Sequence, residues 1–216
     1  MYRQKKLIVS HAPFLHDGGR VPARSYNIIL AALPAVIMGC YQYGVPAIGV
    51  IALSVSSAML WELVVNYLRK SEPTIADGNA ALIGLIFAML LPAEIPWWFV
   101  VAGTFVAVVI AKAAFGGIGG NPFNPAVVGA LVLFISWSKY FDFDIAYANF
   151  DLAFAPLYPL TALKSFGPDA IEYYKPVDLL MAQQIGGIGS TFGLCLIIGG
   201  LYLIVRGIVR WEIALT

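Results

Sequence analysis

Phe115-Gly-Gly-Ile-Gly-Gly-Asn-Pro-Phe-Asn-Pro-Ala-Val-Val-Gly129 sets five glycines, two Asn-Pro steps and aromatic residues between two long apolar segments. In the hydrocarbon of a bilayer, each backbone N–H or C=O without an internal partner costs several kcal/mol. Glycine and proline at this density interrupt helical pairing, so such a run cannot face lipid. It is expected to be packed inside protein or to line a polar cavity, as a buried re-entrant element. A surface turn at the membrane edge is the other reading.

The flanking sequence is what brings a bilayer into the argument. Hydrophobic residues make up 60% of the 216, charged residues only 12%, and the mean hydropathy is +0.82. A soluble domain carries about twice that charge, near 25%. The chain therefore reads as an all-α integral membrane protein, a polytopic helical bundle with short broken helices. A net charge of +1 provides no basic stripe for phosphates, which excludes a nucleic-acid partner. Cys40 and Cys195 both fall in apolar spans and read as small buried side chains, and His11 and His16 lie apart from every span, so no metal site is expected. The polar, basic start has only Leu7-Ile8-Val9 as an apolar patch, so no cleavable signal peptide is expected.

Residues 1–24 form an N-terminal arm. Within 25–137, spans are expected at Tyr26 to Tyr43, with a kink at Pro34, at Val45 to Leu68, and at Trp97 to Ala114, where Trp97 and Trp98 are interfacial anchors. Ala80 to Leu91 and Ala126 to Trp137 are apolar but too short to cross ~30 Å of hydrocarbon at 1.5 Å per residue. Residues 138–186 form a long polar region, and 187–216 hold a sixth span, about Ile188 to Val205, and the start of a seventh. With the arm placed in the cytoplasm, ten of the thirteen Lys and Arg residues fall on the cytoplasmic side; only Lys139, Lys164 and Lys175 lie opposite. That is a positive-inside arrangement, with 138–186 outside the cell membrane.

Both short segments follow polar, glycine-bearing stretches, Asp77-Gly-Asn and Asn121-Pro-Phe-Asn-Pro. Helices that begin at membrane depth present free N–H groups and a positive dipole end to a polar or anionic ligand. The alternative is that Asn121 and Asn124 simply cap a helix. Glu62 is the only carboxylate well inside an apolar segment, which suggests an ion or proton relay; the competing reading pairs it with Arg69 or Lys70 near the interface. No soluble-type catalytic constellation is visible. Gly116-Gly-Ile-Gly-Gly and Gly186-Gly-Ile-Gly189 sit beside membrane spans rather than in a βαβ unit, so neither is a nucleotide loop.

The stretch 115–129 resembles the Gly-Gly-x-Gly-x-Asn-x-Phe-Asn-Pro-Ala segment of the family formed by the B subunit of sodium-translocating NADH:quinone reductase and the D subunit of the Rnf ferredoxin:NAD oxidoreductase complex. Ser10-His-Ala-Pro-Phe-Leu, Asp77-Gly-Asn-Ala-Ala-Leu-Ile-Gly-Leu and Gly186-Gly-Ile-Gly-Ser-Thr extend the likeness through most of the chain, and the short N-terminal region favours the Rnf D subunit. The resemblance implies one half of a repeat fold similar to urea and ammonium transporters, with further spans beyond residue 216. It also implies electron transfer through flavins, coupled to sodium or proton movement. Partners would be other Rnf-type membrane subunits and a flavin-bearing G-type subunit, and the chain would not be a catalyst alone.

Family members carry FMN esterified to the Thr of an Asp-x-x-Ser/Thr-x-Ala-Thr-Pro-Leu motif. Aligning Pro159-Leu160 with its Pro-Leu puts Tyr158 at the acceptor position, with Thr161 three residues downstream of it. Riboflavin or another noncovalent flavin, stacked on Phe154 or Tyr158, or no flavin on this loop, is the expected outcome. The resemblance makes Asn121, Phe123, Asn124, Tyr158 and Thr161 the candidate cofactor-binding residues, and Glu62 and Asp77 the candidates for an ion path. Two alternatives remain open: a urea- or ammonium-channel-like transporter without a redox role, and a scaffold subunit without flavin.

Overall fold

The fold is described from a computed structural model, over residues 21–71, 74–143, 150, 159–168, 176–181 and 184–212. Its helices are α1 (Val21–Arg69), α2 (Asn79–Leu90), α3 (Trp97–Phe105), α4 (Pro125–Ser136), α5 (Pro159–Phe166), α6 (Pro176–Leu180) and α7 (Gly193–Val205); α3 continues as a π-helix, Val106–Ala113. Among the described residues there is no strand, so the all-α expectation holds at that level. The likeness to a urea- or ammonium-transporter half stays with the sequence argument.

As one straight rod, the 49 residues of α1 would be about 73 Å long. They are two arms. Gly44 sits at φ 65°, ψ −144°, a conformation open to glycine and not to a helical L-residue, and Pro46 follows it. The contacts require the chain to turn back there. Tyr26 Oη donates to the Ala76 carbonyl at 3.4 Å, and Asn66 Nδ2 donates to Thr74 Oγ1 at 3.0 Å, so residues 26 and 66 flank the same short turn. Each arm, of about 23 to 25 residues, is long enough to cross ~30 Å of hydrocarbon. The expected boundary between Tyr43 and Val45 is where the helix breaks.

The second arm, α3 and α4 pack around α2, whose Leu82, Ile83, Leu85, Phe87, Ala88 and Met89 are buried. Many of the contact points are small: Ala35, Ala47, Ala58, Ala88, Ala107 and Ala126 are fully enclosed. This lets backbones approach closely, the usual way helices associate where no hydrophobic force separates helix from lipid. The outward faces are the reverse of a soluble protein, with Ile37, Ile48, Leu60, Leu131, Ile135 and Leu201 exposed. Trp98, Trp137, Phe99 and Tyr140 gather at one end, Trp98 on Trp137 at 5.8 Å and Phe99 on Tyr140 at 5.3 Å between ring centroids. The opposite end holds Arg69, Lys70 and Arg206, the last bonded to Asn27, one residue from Tyr26.

Three helices are half-length: α2 and α4 have 12 residues and α7 has 13. The carbonyls at the end of α2 would be orphaned inside the bundle. They are taken up by the non-helical segment 185–192: Ile188 N donates to the Leu91 carbonyl at 2.9 Å and Gly189 N to that of Met89 at 3.1 Å. Ile185, Ile188, Thr191 and Phe192 are all buried there. Close approach requires glycine, since a Cβ on Gly187 would lie 2.6 Å from the Met89 carbonyl oxygen, and one on Gly39 would strike that of Ile188.

The buried irregular backbone is the second glycine run, Gly186–Thr191, whereas residues 114–124 are mostly exposed and connect the π-helix to α4 at the Arg69 end. Of the expected outer region 138–186, 23 of the 49 residues lie outside the described ones, as do 20 of the 24 residues of the expected arm.

Gly187→Ala is expected to force that backbone apart and cost about 1–3 kcal/mol. Gly200→Ala, on an open helix face, is the control. Thermal unfolding of the detergent-solubilised protein should show a lower midpoint for the first and no loss for the second.

Candidate functional site

A polar seam runs along the second arm of α1 where it meets α2 and α3. Ser54 Oγ donates to the Gly84 carbonyl at 2.6 Å, Ser57 Oγ and Thr104 Oγ1 share a hydrogen bond at 2.9 Å, and Trp61 Nε1 donates to the Val101 carbonyl at 3.3 Å. These positions recur at three- and four-residue steps, so they share one face of the arm. Glu62 follows Trp61, about 100° further around the arm. Its side chain is 6% exposed and pairs with Lys112 Nζ at 2.8 Å; the Lys112 side chain is 6% exposed too. The competing reading of Glu62 is corrected: its partner is neither Arg69 nor Lys70 but a lysine of the facing helix. Arg69 donates instead to the Ala113 carbonyl at the end of the π-helix, which also accepts from Gly116 N at 3.1 Å.

The π-helix brings Lys112 to this place. At about 100° per residue, a continuous α-helix would carry Lys112 about 80° around from Thr104 and off the seam. The wider π turn, seen in the bond from Ala114 N to the Val109 carbonyl, advances less per residue and brings the lysine back toward Glu62. Thr74 Oγ1 also donates to Glu62 Oε1, at 2.7 Å, and Asn66 Nδ2 donates to Thr74. Glu62 Oε2 is buried without a hydrogen-bond partner among the described residues.

Two adjoining cavities open at this end of the bundle. One, of about 330 Å³, is lined by Glu62, Asn66, Arg69, Thr74, Lys112 and Gly116 among others. The second, of about 320 Å³, is lined by Asn79, Lys112, Ile118, Asn121, Asn124 and Pro125 among others. Lys112 and Ile118 belong to both walls. The second cavity lies at the first turns of both α2 and α4, so two positive helix ends meet there.

The candidate residues separate clearly. Asn124 is the N-cap of α4, its Oδ1 accepting from Ala126 N at 3.0 Å, so the capping reading holds for it, and it also faces the cavity. Asn121 does not cap; its Nδ2 donates to the Phe123 carbonyl at 3.1 Å, and it too lines the cavity. Phe123 is 72% exposed and lines neither cavity. Asp77, partly buried in the turn Ile75–Asp77, is likewise absent from both walls. Thr161 is placed by its backbone in α5. Tyr158 and Phe154 lie outside the described residues. Among the candidate cofactor residues, Asn121 and Asn124 are the two that line a cavity. Its amides and helix N–H ends can hydrogen-bond a polar or anionic ring system.

Lys112 was missed as a site residue, counted only as a cytoplasmic charge. The signal was present: it is the one cation within the apolar run from Trp97 to Ala114, and such residues usually mark a pathway or partner. Thr74 and Asn66 carried no signal, and Asn79 was marked only as the end of the polar stretch Asp77-Gly-Asn.

Comparison with known proteins gives a consistent picture. The model of the NQR2, RnfD, RnfE family matches residues 8–216. The D subunit of the Na(+)-translocating ferredoxin:NAD(+) oxidoreductase complex of Acetobacterium woodii is 33% identical over 96% of this chain and 65% of the relative. The D subunit of the proton-translocating ferredoxin:NAD(+) oxidoreductase complex of Clostridium ljungdahlii is 32% identical over 95% of the chain and 64% of the relative. That of the ion-translocating oxidoreductase complex of Pectobacterium carotovorum subsp. carotovorum is 30% identical, over 96% and 69%. The chain thus spans about 65% of the length of the first two.

Removing one charge of the pair leaves the other buried and uncompensated. Lys112→Met is expected to destabilise by about 3–5 kcal/mol, with the double variant Glu62→Gln/Lys112→Met recovering most of it. Denaturant unfolding of the four proteins of the cycle measures that coupling; additive losses would show that the pair contributes nothing.

Proposed function

The chain belongs to the NQR2, RnfD, RnfE family, and on that premise we propose that it is a membrane subunit of an Rnf-type, redox-driven ion-translocating electron-transport complex. The observation that carries the reading is the match across residues 8–216, with relatives named as D subunits of such complexes aligned over nearly the whole chain. In this role the subunit works with other Rnf-type membrane subunits and a flavin-bearing G-type subunit, and it does not bind NADH itself. It sits as a multi-pass protein in the cell membrane with its N-terminus in the cytoplasm. The gathering of Arg69, Lys70 and Arg206 at one end, away from the aromatic end, supports that orientation.

The site at the Arg69 end divides into two tasks. The Asn121/Asn124 cavity takes a noncovalent flavin, which would supply one- and two-electron transfer when bound; the chain's own part is to hydrogen-bond and orient it. The Glu62 cavity offers a buried carboxylate with an open oxygen, as an ion path requires. The coupling ion is sodium or the proton. Two relatives of nearly equal identity are named for different ions, so overall similarity does not select between them.

Purified in its complex, the subunit is expected to carry flavin absorbance that is released on denaturation, and Asn121→Leu is expected to lose it without lowering the unfolding midpoint. Flavin fluorescence that stays with the denatured chain would instead mark covalent attachment, with Thr161→Ala as its check. A colourless subunit that conducts urea or ammonium in proteoliposomes would overturn the proposal.

A further inference from the structure

Resting on the reading of Glu62 as an ion-path carboxylate, we propose that Lys112 is the gate of that site: its ammonium holds Glu62 as a resident counter-cation, and a monovalent cation binds only by displacing it toward the cavity of Asn79, Asn121 and Asn124. The carboxylate is half-satisfied. Oε1 accepts from both Lys112 Nζ and Thr74 Oγ1, at 2.8 and 2.7 Å, while Oε2 is buried and unpartnered among the described residues. A purely structural ion pair gains by closing all its acceptors, because an ionised oxygen left without a donor in a dry interior is costly. Here the unused oxygen belongs to a residue lining a cavity of about 330 Å³, with Asn66 and Thr74 as further polar groups.

Charge balance makes the process an exchange rather than an addition. With Lys112 in place the pair is neutral, and Arg69 already adds a positive charge to the same wall. A second cation entering beside Lys112 would be a buried charge without compensation. Once Lys112 swings out, the incoming ion takes its place on Glu62 and the sum at the carboxylate is unchanged, the added positive charge now lying in the adjoining cavity.

Lys112 has somewhere to go. It lines both cavities, so moving between them takes rotation of its own flexible stem rather than movement of a helix. The second cavity offers the side-chain amide oxygens of Asn79, Asn121 and Asn124 as acceptors. Yet α2 and α4 both begin there, and their positive ends disfavour an ammonium. The displaced position is therefore the higher in energy, and the gate closes when the ion departs. Thr74, fixed by Asn66, keeps its hydrogen bond on Glu62 in either state.

The test is cation dependence of turnover in the assembled complex, reconstituted in proteoliposomes, titrated with sodium at fixed pH and with protons in sodium-free buffer. The titration that saturates identifies the ion. Lys112→Met, lacking the competitor, is expected to lower the half-saturating concentration about tenfold and to let an imposed cation gradient collapse without electron flow. Lys112→Arg, whose guanidinium reaches both carboxylate oxygens, is expected to raise it several-fold while still holding the gradient. Opposite directions from two substitutions at one position cannot arise from misfolding. Half-saturation unchanged in both variants, with Glu62→Gln abolishing cation stimulation, would overturn the gate and leave the ion path standing. Stimulation that survives Glu62→Gln would remove the ion-path reading itself, and the gate with it.

Discussion

Every backbone amide that enters an apolar bundle has to find its partner inside the bundle, and the architecture follows from how three half-length helices meet that condition. A full-length helix satisfies it alone, as the two arms of α1 do. Helix α2 ends after 12 residues with carbonyls exposed in the interior, and the segment 185–192, more than ninety residues later in the chain, comes back to receive them. The glycines at 39 and 187 follow from the return of that segment, since two backbones in contact leave no room for a Cβ. Helix α4 meets the condition at its other end, where Asn124 takes the Ala126 amide and Pro125 removes an unmet donor.

The same geometry sets the chemistry. Short helices begin rather than pass through at the Arg69 end, so two N-termini and three asparagines gather at one cavity. Beside it, the polar seam of α1 and α3 ends in Glu62 and Lys112. The hydroxyl pairs lower in the seam are closed within the protein and act as interhelical contacts. The ion pair is incomplete and borders open volume. That difference separates a packing device from a site.

Much of the fold was legible in the sequence because its signals are local. The helix break at Gly44, the short segments at 79–90 and 125–136, and the aromatic and basic ends can be read from hydropathy, proline and charge placement within one segment. The site was legible in part. Glu62 and Asn124 were identified by type and position, Glu62 as a carboxylate in an apolar run and Asn124 as a cap. The true partner of Glu62 was not, because Glu62 and Lys112 are 50 residues apart and meet only through a π turn that no residue pattern announces. Phe123 fell the other way: the motif included it, and the fold leaves it exposed.

By itself the sequence determined that the chain is helical and apolar-faced, where its helices break, and which family it belongs to, since each rests on composition or on contiguous motifs. Only the tertiary structure decided which glycine run goes inside. Both Phe115–Gly129 and Gly186–Thr191 are rich in residues that interrupt helices, and local physics says of both that they need partners. Which one is buried depends on where unpaired carbonyls wait, and these belong to α2, a helix remote from both in sequence. The same holds for Lys112. An intramembrane lysine must be compensated, but the identity of the compensating group is set by packing across helices.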